Sequence, residues 1–254
     1  MSSASPPGGR QRLDERLVDE HLFASRSRAR DAVERGCVHV NGVVARKPGQ
    51  AVPPEAVIAV NDPARSYVSR AALKLVAGLD HFGFDPTDSQ ALDIGASTGG
   101  FTQVLLERGA AHVTAIDVGH GQMHPDIACN PRVTVIEGLN ARDLTLADLG
   151  GKNPDFIVSD VSFISLTLAL PPALGLVGEG AKAVLLVKPQ FEAGREAIGK
   201  GGLLKNPQDA ARVAEDLRDW LDAVPGWRAL GLCPSPIEGG DGNREFLLAG
   251  EKTR

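Results

Sequence analysis

The stretch Leu92-Asp93-Ile94-Gly95-Ala96-Ser97-Thr98-Gly99-Gly100-Phe101-Thr102 carries most of the information about the fold of this chain. An apolar segment leads into a glycine-rich turn, and a helix-forming segment follows. Glycines allow a backbone to approach a ligand closely, and the first turn of a helix leaves N–H groups unpaired. The stretch therefore predicts a strand, a turn and a helix, with a small-molecule site at the turn.

Alternating strands and helices extend outward from this turn. Helices are predicted for residues 69–79, from their amphipathic spacing, and for residues 207–224, which have a proline in the first turn. Short apolar strands are predicted for residues 91–94, 113–116, 133–136, 156–159, 183–187, 227–232 and 246–249. This alternation predicts an α/β fold with a doubly wound, mainly parallel, Rossmann-like sheet.

A carboxylate downstream of the turn indicates a cofactor that contains a nucleoside. Asp117 ends the strand 113–116, where a carboxylate can accept hydrogen bonds from ribose hydroxyls. The glycines at 95, 99 and 100 depart from the G-x-G-x-x-G pattern of dinucleotide enzymes and are similar to the first motif of class I methyltransferases, which implies S-adenosylmethionine. A dinucleotide site and a purely structural turn remain alternatives. The residues predicted to bind the cofactor are Asp93, Gly95, Ala96, Ser97, Thr98, Gly99, Gly100, Phe101, Asp117, Val118, Asn140 and Asp160.

Two polar residues that end apolar strands are candidates for the chemistry. Asp160 follows strand 156–159 and Lys188 follows strand 183–187, so both are expected at the carboxyl edge of the sheet, where ligands bind. A lysine there can accept the proton of an alcohol or stabilise the forming alkoxide. The residues after Asp160 lack the prolines of exocyclic-amine methyltransferases and the cysteine of cytosine C5 enzymes, which favours an oxygen acceptor. A helix cap for Asp160 and a solvated loop position for Lys188 are the alternatives.

Five segments resemble the TlyA family, relatives of the FtsJ-type ribose 2′-O-methyltransferases: residues 69–75, 93–102, 159–163, 188–192 and 242–246. The resemblance covers nearly the whole chain from Arg12 onward. It implies S-adenosylmethionine-dependent methylation of cytidine 2′-hydroxyls in the ribosomal RNA of both subunits. It also implies that the Lys-Asp-Lys-Glu tetrad of that superfamily falls on Lys74, Asp160, Lys188 and Glu245.

The chemistry of these four side chains is consistent with such a reaction. Lys188 is expected to act as the base, with Asp160 and Glu245 setting its protonation and position. Lys74 is expected to stabilise charge on the acceptor oxygen or on a neighbouring phosphate. Two purely structural ion pairs are the alternative, because charge networks also occur without chemistry.

Residues 12–60 resemble the small alpha-L RNA-binding module first known from a ribosomal protein, through Arg12-Leu13-Asp14, residues 25–30, Gly36-Cys37-Val38 and Val40-Asn41-Gly42. Ser25 is predicted to cap a helix with Ala29, Ala32 and Val33 on its inner face, and Asn41-Gly42 to turn a hairpin. The residues predicted to bind RNA are Arg12, Arg26, Arg28 and Arg30, of which Arg26 and Arg30 share a helix face. A solvated basic helix face is the alternative. The predicted organisation is a disordered segment 1–9, an α+β RNA-binding domain 10–63, a linker 64–68 and a methyltransferase domain 69–254.

The charge of the chain is unevenly distributed. Residues 1–68 contain 10 Lys and Arg against 8 Asp and Glu, whereas residues 69–254 contain 17 against 24. A polyanionic substrate is therefore expected to be gripped by the first segment, and the acidic remainder needs a local basic rim.

Several other classes of function lack sequence support. Three widely spaced cysteines indicate neither a disulfide framework nor a zinc cluster, and His120 and His124 lack the glutamate of a zinc motif, so no metal is predicted. Without an apolar signal core or a run of about 20 apolar residues, a cytoplasmic protein without a membrane partner is expected. The resemblance implies ribosomal RNA or ribosomal subunits as partner, and no obligate protein partner is expected. Some TlyA relatives are called hemolysins, but a basic amphipathic helix that could disrupt a membrane is missing. An RNA base methyltransferase and a non-catalytic ribosome-assembly factor remain alternatives.

Overall fold

The computed structural model describes residues 9–240 and 242–254. The chain divides into two compact units between Ser66 and Tyr67, a point within the predicted linker 64–68. Of the segment predicted to be disordered, residues 1–8 lie outside the described residues.

The first unit packs two helices against short strands. Its elements are β1 (Gln11–Arg12), α1 (Leu13–Asp19), α2 (Arg26–Glu34), β2 (Val38–Val40), β3 (Val43–Val44), β4 (Ala51–Val52) and β5 (Ile58–Val60). β1 pairs with β4, while β2 pairs with both β3 and β5, all antiparallel. The pairing of β1 with β4 was not predicted, because two-residue strands leave no periodicity in a sequence.

Local signals in this unit correspond to the observed structure. The Ser25 hydroxyl caps α2 by accepting a hydrogen bond from the Arg28 N–H, and the predicted inner face of this helix is buried. Asn41 and Gly42 both have positive φ, which a two-residue hairpin turn with the right twist requires. β5 begins only at Ile58, because the Ala56 N–H closes a turn onto the Pro53 carbonyl.

The second unit contains a seven-stranded sheet in the order β11-β12-β10-β9-β6-β7-β8. Its strands are β6 (Gln90–Ile94), β7 (His112–Asp117), β8 (Val133–Glu137), β9 (Phe156–Ser159), β10 (Lys182–Val187), β11 (Trp227–Pro234) and β12 (Phe246–Lys252). β8, β7, β6, β9 and β10 are parallel; β12 is antiparallel to β10, and β11 at the end of the sheet is antiparallel to β12. The predicted doubly wound and mainly parallel sheet is therefore confirmed.

Helices cover the sheet on both faces. They are α3 (Ala72–Phe82), α4 (Gly100–Glu107), α5 (Pro125–Ala128), α6 (Leu166–Ala169), α7 (Pro171–Leu176), α8 (Pro189–Glu192) and α9 (Asp209–Ala223). Two apolar clusters, one for each face, fill the space between helices and sheet. Gly78 allows α3 to lie close to β10, because a Cβ at this position would stand 2.9 Å from a Val184 methyl group.

Two helices begin later than their sequences predicted. The helix predicted from residue 69 starts at Ala72, because the preceding residues form tight turns in which each N–H bonds the carbonyl three residues earlier. The helix predicted from residue 207 starts at Asp209 for the same reason. Among the described residues, no helix is both long and apolar enough to cross a bilayer.

Candidate active site

A cavity of about 480 Å³ opens at the carboxyl ends of β6, β7 and β9. The strand order reverses at β6, which is where ligands bind in doubly wound sheets. The lining combines strand ends with the loops that follow them: Ile94, Gly95, Ser97, Ile116, Asp117, Val118, Gln122, Leu139, Asn140, Ala141, Asp160, Val161, Ser162, Phe163, Ile164 and Ala169.

Glycine is required at the point where the turn after β6 meets the loop after β9. Gly95 has φ +81°, and a Cβ on it would lie 2.9 Å from the carbonyl oxygen of Asp160. On its other side, the turn is held by β7, since the Gly95 N–H donates to the Ile116 carbonyl. A side chain at residue 95 would therefore push apart the two loops that form the floor of the cavity.

Half of the twelve residues predicted to bind a cofactor line this cavity. They are Gly95, Ser97, Asp117, Val118, Asn140 and Asp160. The other six, which do not line it, are Asp93, Ala96, Thr98, Gly99, Gly100 and Phe101. Some of these six form the support of the turn: Gly99 packs beside Met123 and Ile127, and Gly100 beside Ser69.

Asp117 fits the ribose-binding role predicted for it. Its Oδ2 accepts a hydrogen bond from the Ser97 N–H at 2.8 Å, and its Oδ1 accepts one from the Gly119 N–H at 2.7 Å. Each carboxylate oxygen has two lone pairs, so both can accept a second hydrogen bond, as from a ribose diol. Val118, largely exposed, adds an apolar surface beside the carboxylate.

Asp93 lies beneath the turn and is completely buried. Its Oδ2 accepts a hydrogen bond from the Thr102 hydroxyl in α4 at 2.6 Å, and among the described residues no group donates to its Oδ1. Burial raises the pKa of Asp93 to about 7, against the opposing effect of the Thr102 hydrogen bond; the charges of Asp160 and Asp117 add to the rise. Asp93 therefore ties β6 to α4 from below the cavity.

Lys188 and Asp160 form a nearly buried ion pair at the ends of β10 and β9. The Lys188 Nζ lies 2.5 Å from Asp160 Oδ1 and donates a hydrogen bond to the Ser162 hydroxyl at 2.8 Å. Among the described residues, none donates a well-aligned hydrogen bond to Asp160 Oδ1. The solvated position considered for Lys188 is therefore wrong. The helix cap considered for Asp160 is wrong as well, because the Ser165 hydroxyl caps α6.

Lys74 and Glu245 form a second buried ion pair. The Lys74 Nζ, in the first turn of α3, donates to Glu245 Oε2 at 2.5 Å. Glu245 directly precedes β12, whose first residue Phe246 pairs with Val187, the residue before Lys188. The structure therefore brings the four residues of the predicted tetrad to one edge of the sheet, as two ion pairs. Glu245 was expected to position Lys188 together with Asp160, but its partner is Lys74.

The predicted RNA-binding arginines lie in the first unit, where two of them share a buried partner. Asp14 is completely buried, and its Oδ2 is 3.1 Å from the Arg12 guanidinium and 3.0 Å from that of Arg26. Burial acts to raise the pKa of Asp14, but hydrogen bonds from Arg12 and Arg26 outweigh it and the pKa is lowered. Arg26 and Arg30 line one concavity, as their shared helix face predicts, whereas Arg28 donates to the Ala64 carbonyl.

Of the two histidines with metal-like spacing, His124 has a structural role. The His124 ring nitrogen accepts from the Asp126 N–H and caps α5. Across residues 9–240 and 242–254, no group of three or more histidine, cysteine or acidic side chains could hold a metal ion.

The profile of the FtsJ-like methyltransferase family matches residues 67–252, and that of the S4 domain matches residues 11–58. The chain is a TlyA-type member of the FtsJ-like methyltransferase family. It is 44% identical to a Mycobacterium tuberculosis protein named 16S/23S rRNA (cytidine-2′-O)-methyltransferase TlyA, over 94% of this chain and 89% of that one. It is 38% identical to a Brachyspira hyodysenteriae protein named hemolysin A, over 93% and 98%. A solved Streptococcus thermophilus structure, also named a hemolysin, is 39% identical with a TM-score of 0.74, over 96% and 89%.

In this FtsJ-like methyltransferase, an aromatic pair at the rim of the cavity was not predicted. Phe163 is 90% exposed and has φ +64°, an outlier for a bulky residue, and its ring lies 5.0 Å from that of Phe191. The loop that carries Phe163 is held by Glu192, which accepts hydrogen bonds from the Ser165 hydroxyl and the Leu166 N–H. The sequence signals were present, since Phe163 follows the end of β9 and Phe191 the end of β10, but only the structure shows that Phe163 faces solvent.

Proposed function

We propose that this protein transfers a methyl group from S-adenosylmethionine to the 2′-hydroxyl of cytidine in ribosomal RNA. The observation that carries the proposal is the buried pair of Lys188 and Asp160, which stands at the mouth of a cavity sized for a nucleoside. The printed activity of the Mycobacterium tuberculosis relative, rRNA cytidine 2′-O-methylation, supports the choice of acceptor.

The cavity has the chemistry that S-adenosylmethionine requires. Asp117 offers carboxylate oxygens to the ribose, while Val118, Leu139 and Ile164 offer apolar surface to the adenine. The cofactor has no phosphate group, and the described residues that line the cavity include neither lysine nor arginine. When bound, the cofactor supplies an electrophilic methyl group on a positively charged sulfur.

The tetrad acts on the acceptor hydroxyl. A neutral alcohol is a weak nucleophile, so the reaction needs a group that takes its proton and others that stabilise the resulting charge. Lys188 takes this proton as the neutral amine, after its own proton has passed to solvent, while Asp160 fixes its position. Lys74, held by Glu245, stabilises negative charge on the acceptor oxygen or on an adjacent phosphate. Both lysines are buried, so water does not weaken these interactions.

The aromatic pair suits an acceptor that is a nucleotide. An exposed phenylalanine held in a costly backbone conformation indicates a functional constraint, because a side chain that remains exposed gains little free energy from burial. Nucleobases stack on such rings, with a gain of about 1–3 kcal/mol per base. We assign Phe163, backed by Phe191, to the base whose ribose reaches Lys188.

The S4 unit supplies the affinity for folded RNA. Arg12 and Arg26 converge on Asp14, which presents the two guanidinium groups side by side for phosphates. Few aromatic side chains are present in this unit for stacking, so recognition by shape and phosphate contacts is expected. Ribosomal RNA, as part of a small or a large subunit, is the substrate class that this combination of units serves.

The test is incubation of the protein with isolated small and large ribosomal subunits and radiolabelled S-adenosylmethionine. The labelled nucleotide is then mapped by resistance to alkaline hydrolysis, because a 2′-O-methyl group prevents attack on the neighbouring phosphate. We expect label on a cytidine ribose. Label on a base would make the protein a base methyltransferase, and RNA binding without label would make it an assembly factor.

A further inference from the structure

A loop rich in glycine and basic residues follows α8. Residues 194–205, here called the basic loop, contain Arg195, Lys200 and Lys205 but only one acidic residue, Glu196. All three basic side chains are exposed. The loop thus has a net positive charge within a segment, residues 69–254, in which 24 acidic residues outnumber 17 basic ones.

The basic loop has a defined conformation. Its two arms meet in an antiparallel bridge between Ile198 and Leu204, and the Gly199 N–H donates to the Leu203 carbonyl at 2.7 Å. At its tip, Gly201 has φ +72°, and a Cβ there would meet nothing within 4 Å. Glycine at the tip is therefore needed for the turn and not for packing, and the tip faces open space.

Asn243 attaches the basic loop to the edge of the sheet that carries Lys188 and Glu245. It is 4% exposed, its Nδ2 donates to the Gly202 carbonyl at 2.9 Å, and its Oδ1 accepts from the Leu204 N–H. Two residues later in the chain, Glu245 pairs with Lys74. At its other end, the loop begins two residues after α8, the short helix that follows Lys188. The basic loop is therefore connected to Lys188 through α8, and to Glu245 through Asn243.

We infer that the basic loop binds the phosphates that flank the target nucleotide, with Arg195 and Lys200 as contacts and Asn243 as the positioning residue. This inference rests on the proposed function and adds to it the part of the methyltransferase unit that holds the RNA strand. The excess of acidic residues in 69–254 makes a local cationic site necessary if this unit is to hold a polyanion. Charges are screened beyond about 10 Å at 0.1 M salt, so only cations close to the acceptor ribose can offset local repulsion of its phosphates.

The test compares two double variants of the full-length protein. Arg195→Gln with Lys200→Gln removes two charges from the basic loop. The control is Arg218→Gln with Arg228→Gln. It removes one charge from α9 and one from the start of β11, where Arg228 pairs with Glu251, away from the edge of the sheet that carries Lys188 and Glu245. RNA affinity is measured over a series of salt concentrations, together with the affinity for S-adenosylmethionine and the rate of methylation.

For the loop variant, we expect the slope of log affinity against log salt to fall by about 0.7–0.9 for each lost phosphate contact. KM for RNA should rise about tenfold or more, while affinity for S-adenosylmethionine and kcat change little. The α9 and β11 control should match the wild type in slope and KM. Equal slopes and KM values for the loop variant and the wild type would overturn the inference, and so would an equal loss in the control, because the effect would then come from net charge alone.

Asn243→Ala separates positioning from charge. It leaves every basic residue in place but frees the basic loop, so KM for RNA should rise while kcat and the affinity for S-adenosylmethionine stay near the wild-type values. A residue that served only stability would lower the melting temperature without changing KM. If the wild type binds RNA but methylates none, the proposed function fails, and the salt slopes of the variants still decide whether the loop contacts phosphate.

Discussion

The Lys188 ammonium lies 2.5 Å from Asp160 Oδ1, and Lys188 is only 9% exposed. Removing both charges from water has a cost that their attraction often fails to offset, so a buried ion pair is poor evidence of stabilisation. Asp160 Oδ1 moreover accepts no well-aligned hydrogen bond from any described residue. We therefore expect the pair to serve the proposed reaction and not stability.

Substitution of Lys188 tests its role as a base. Lys188→Ala should lower kcat by about 100- to 10,000-fold, the range typical of lost general acid–base catalysis, with little change in the affinity for S-adenosylmethionine. Lys188→Arg is the matched variant, because a guanidinium retains the charge but does not take up a proton at neutral pH. The two variants should be equally inactive in a methyl-incorporation assay. Substantial activity in the arginine variant would assign Lys188 a purely electrostatic role.

The Lys74 and Glu245 pair allows stability and activity to be separated. Glu245→Ala should lower the free energy of unfolding by about 3–5 kcal/mol, because it leaves a buried ammonium without its partner. The double variant Lys74→Met with Glu245→Leu should regain much of this loss in urea unfolding and yet remain inactive. If the double variant kept wild-type activity, the pair would be structural only.

The sheet could be predicted from the sequence because its central strands are continuous apolar runs. β6, β7, β9 and β10 all begin within one residue of their predicted positions. Lys188 and Asp160 were found by position alone, since each follows such a run. β12 runs antiparallel to β10, and this brings Glu245 to the edge of the sheet where it meets Lys74. Only the family resemblance had indicated that Lys74 and Glu245 belong to the site.

Residues of the turn were harder to assign. The motif names every residue from Asp93 to Phe101, but it does not tell which of them face the cavity. Positive φ at Gly95 and Ser97 turns the backbone toward the cavity, while Asp93 is turned beneath it. The contact of Arg26 with Asp14 was missed for a related reason: the two residues are twelve apart in sequence, and only the packing of α1 on α2 brings them together.

Asp117 provides a test of the cofactor site. Asp117→Ala should weaken binding of S-adenosylmethionine about 10- to 100-fold, the effect of losing a hydrogen bond to a charged group at about 1.5–3 kcal/mol. Because the ribose is remote from the reacting methyl group, kcat at saturating cofactor should change little. Asp117→Asn, which keeps one acceptor oxygen, should lie between the two in isothermal titration calorimetry. Unchanged affinity in the alanine variant would place the ribose elsewhere.

Arg26 provides a test of RNA recognition by the S4 unit. Arg26→Gln should weaken RNA binding at low salt and reduce the slope of log affinity against log salt by about 0.7–0.9, as expected for one phosphate contact. Arg12 keeps Asp14 paired in this variant, so the fold should persist. Arg218→Gln removes the same charge from α9 and should leave the slope unchanged. A slope equal to that of the wild type in the Arg26 variant would show that this guanidinium serves only Asp14.

Asp93 predicts a dependence of stability on pH. Burial raises its pKa from 3.8 to about 7, so between these values the folded protein holds a proton that the unfolded chain releases. Stability from this group is therefore complete below about pH 4 and is lost as the pH rises toward 7. Asp93→Asn keeps an acceptor for the Thr102 hydroxyl but cannot ionise. In urea unfolding between pH 4 and 8, the variant should gain stability relative to the wild type as the pH rises, with a difference in slope approaching one proton. Parallel pH profiles would show that Asp93 is already ionised in the folded protein, and that an unseen donor satisfies its Oδ1.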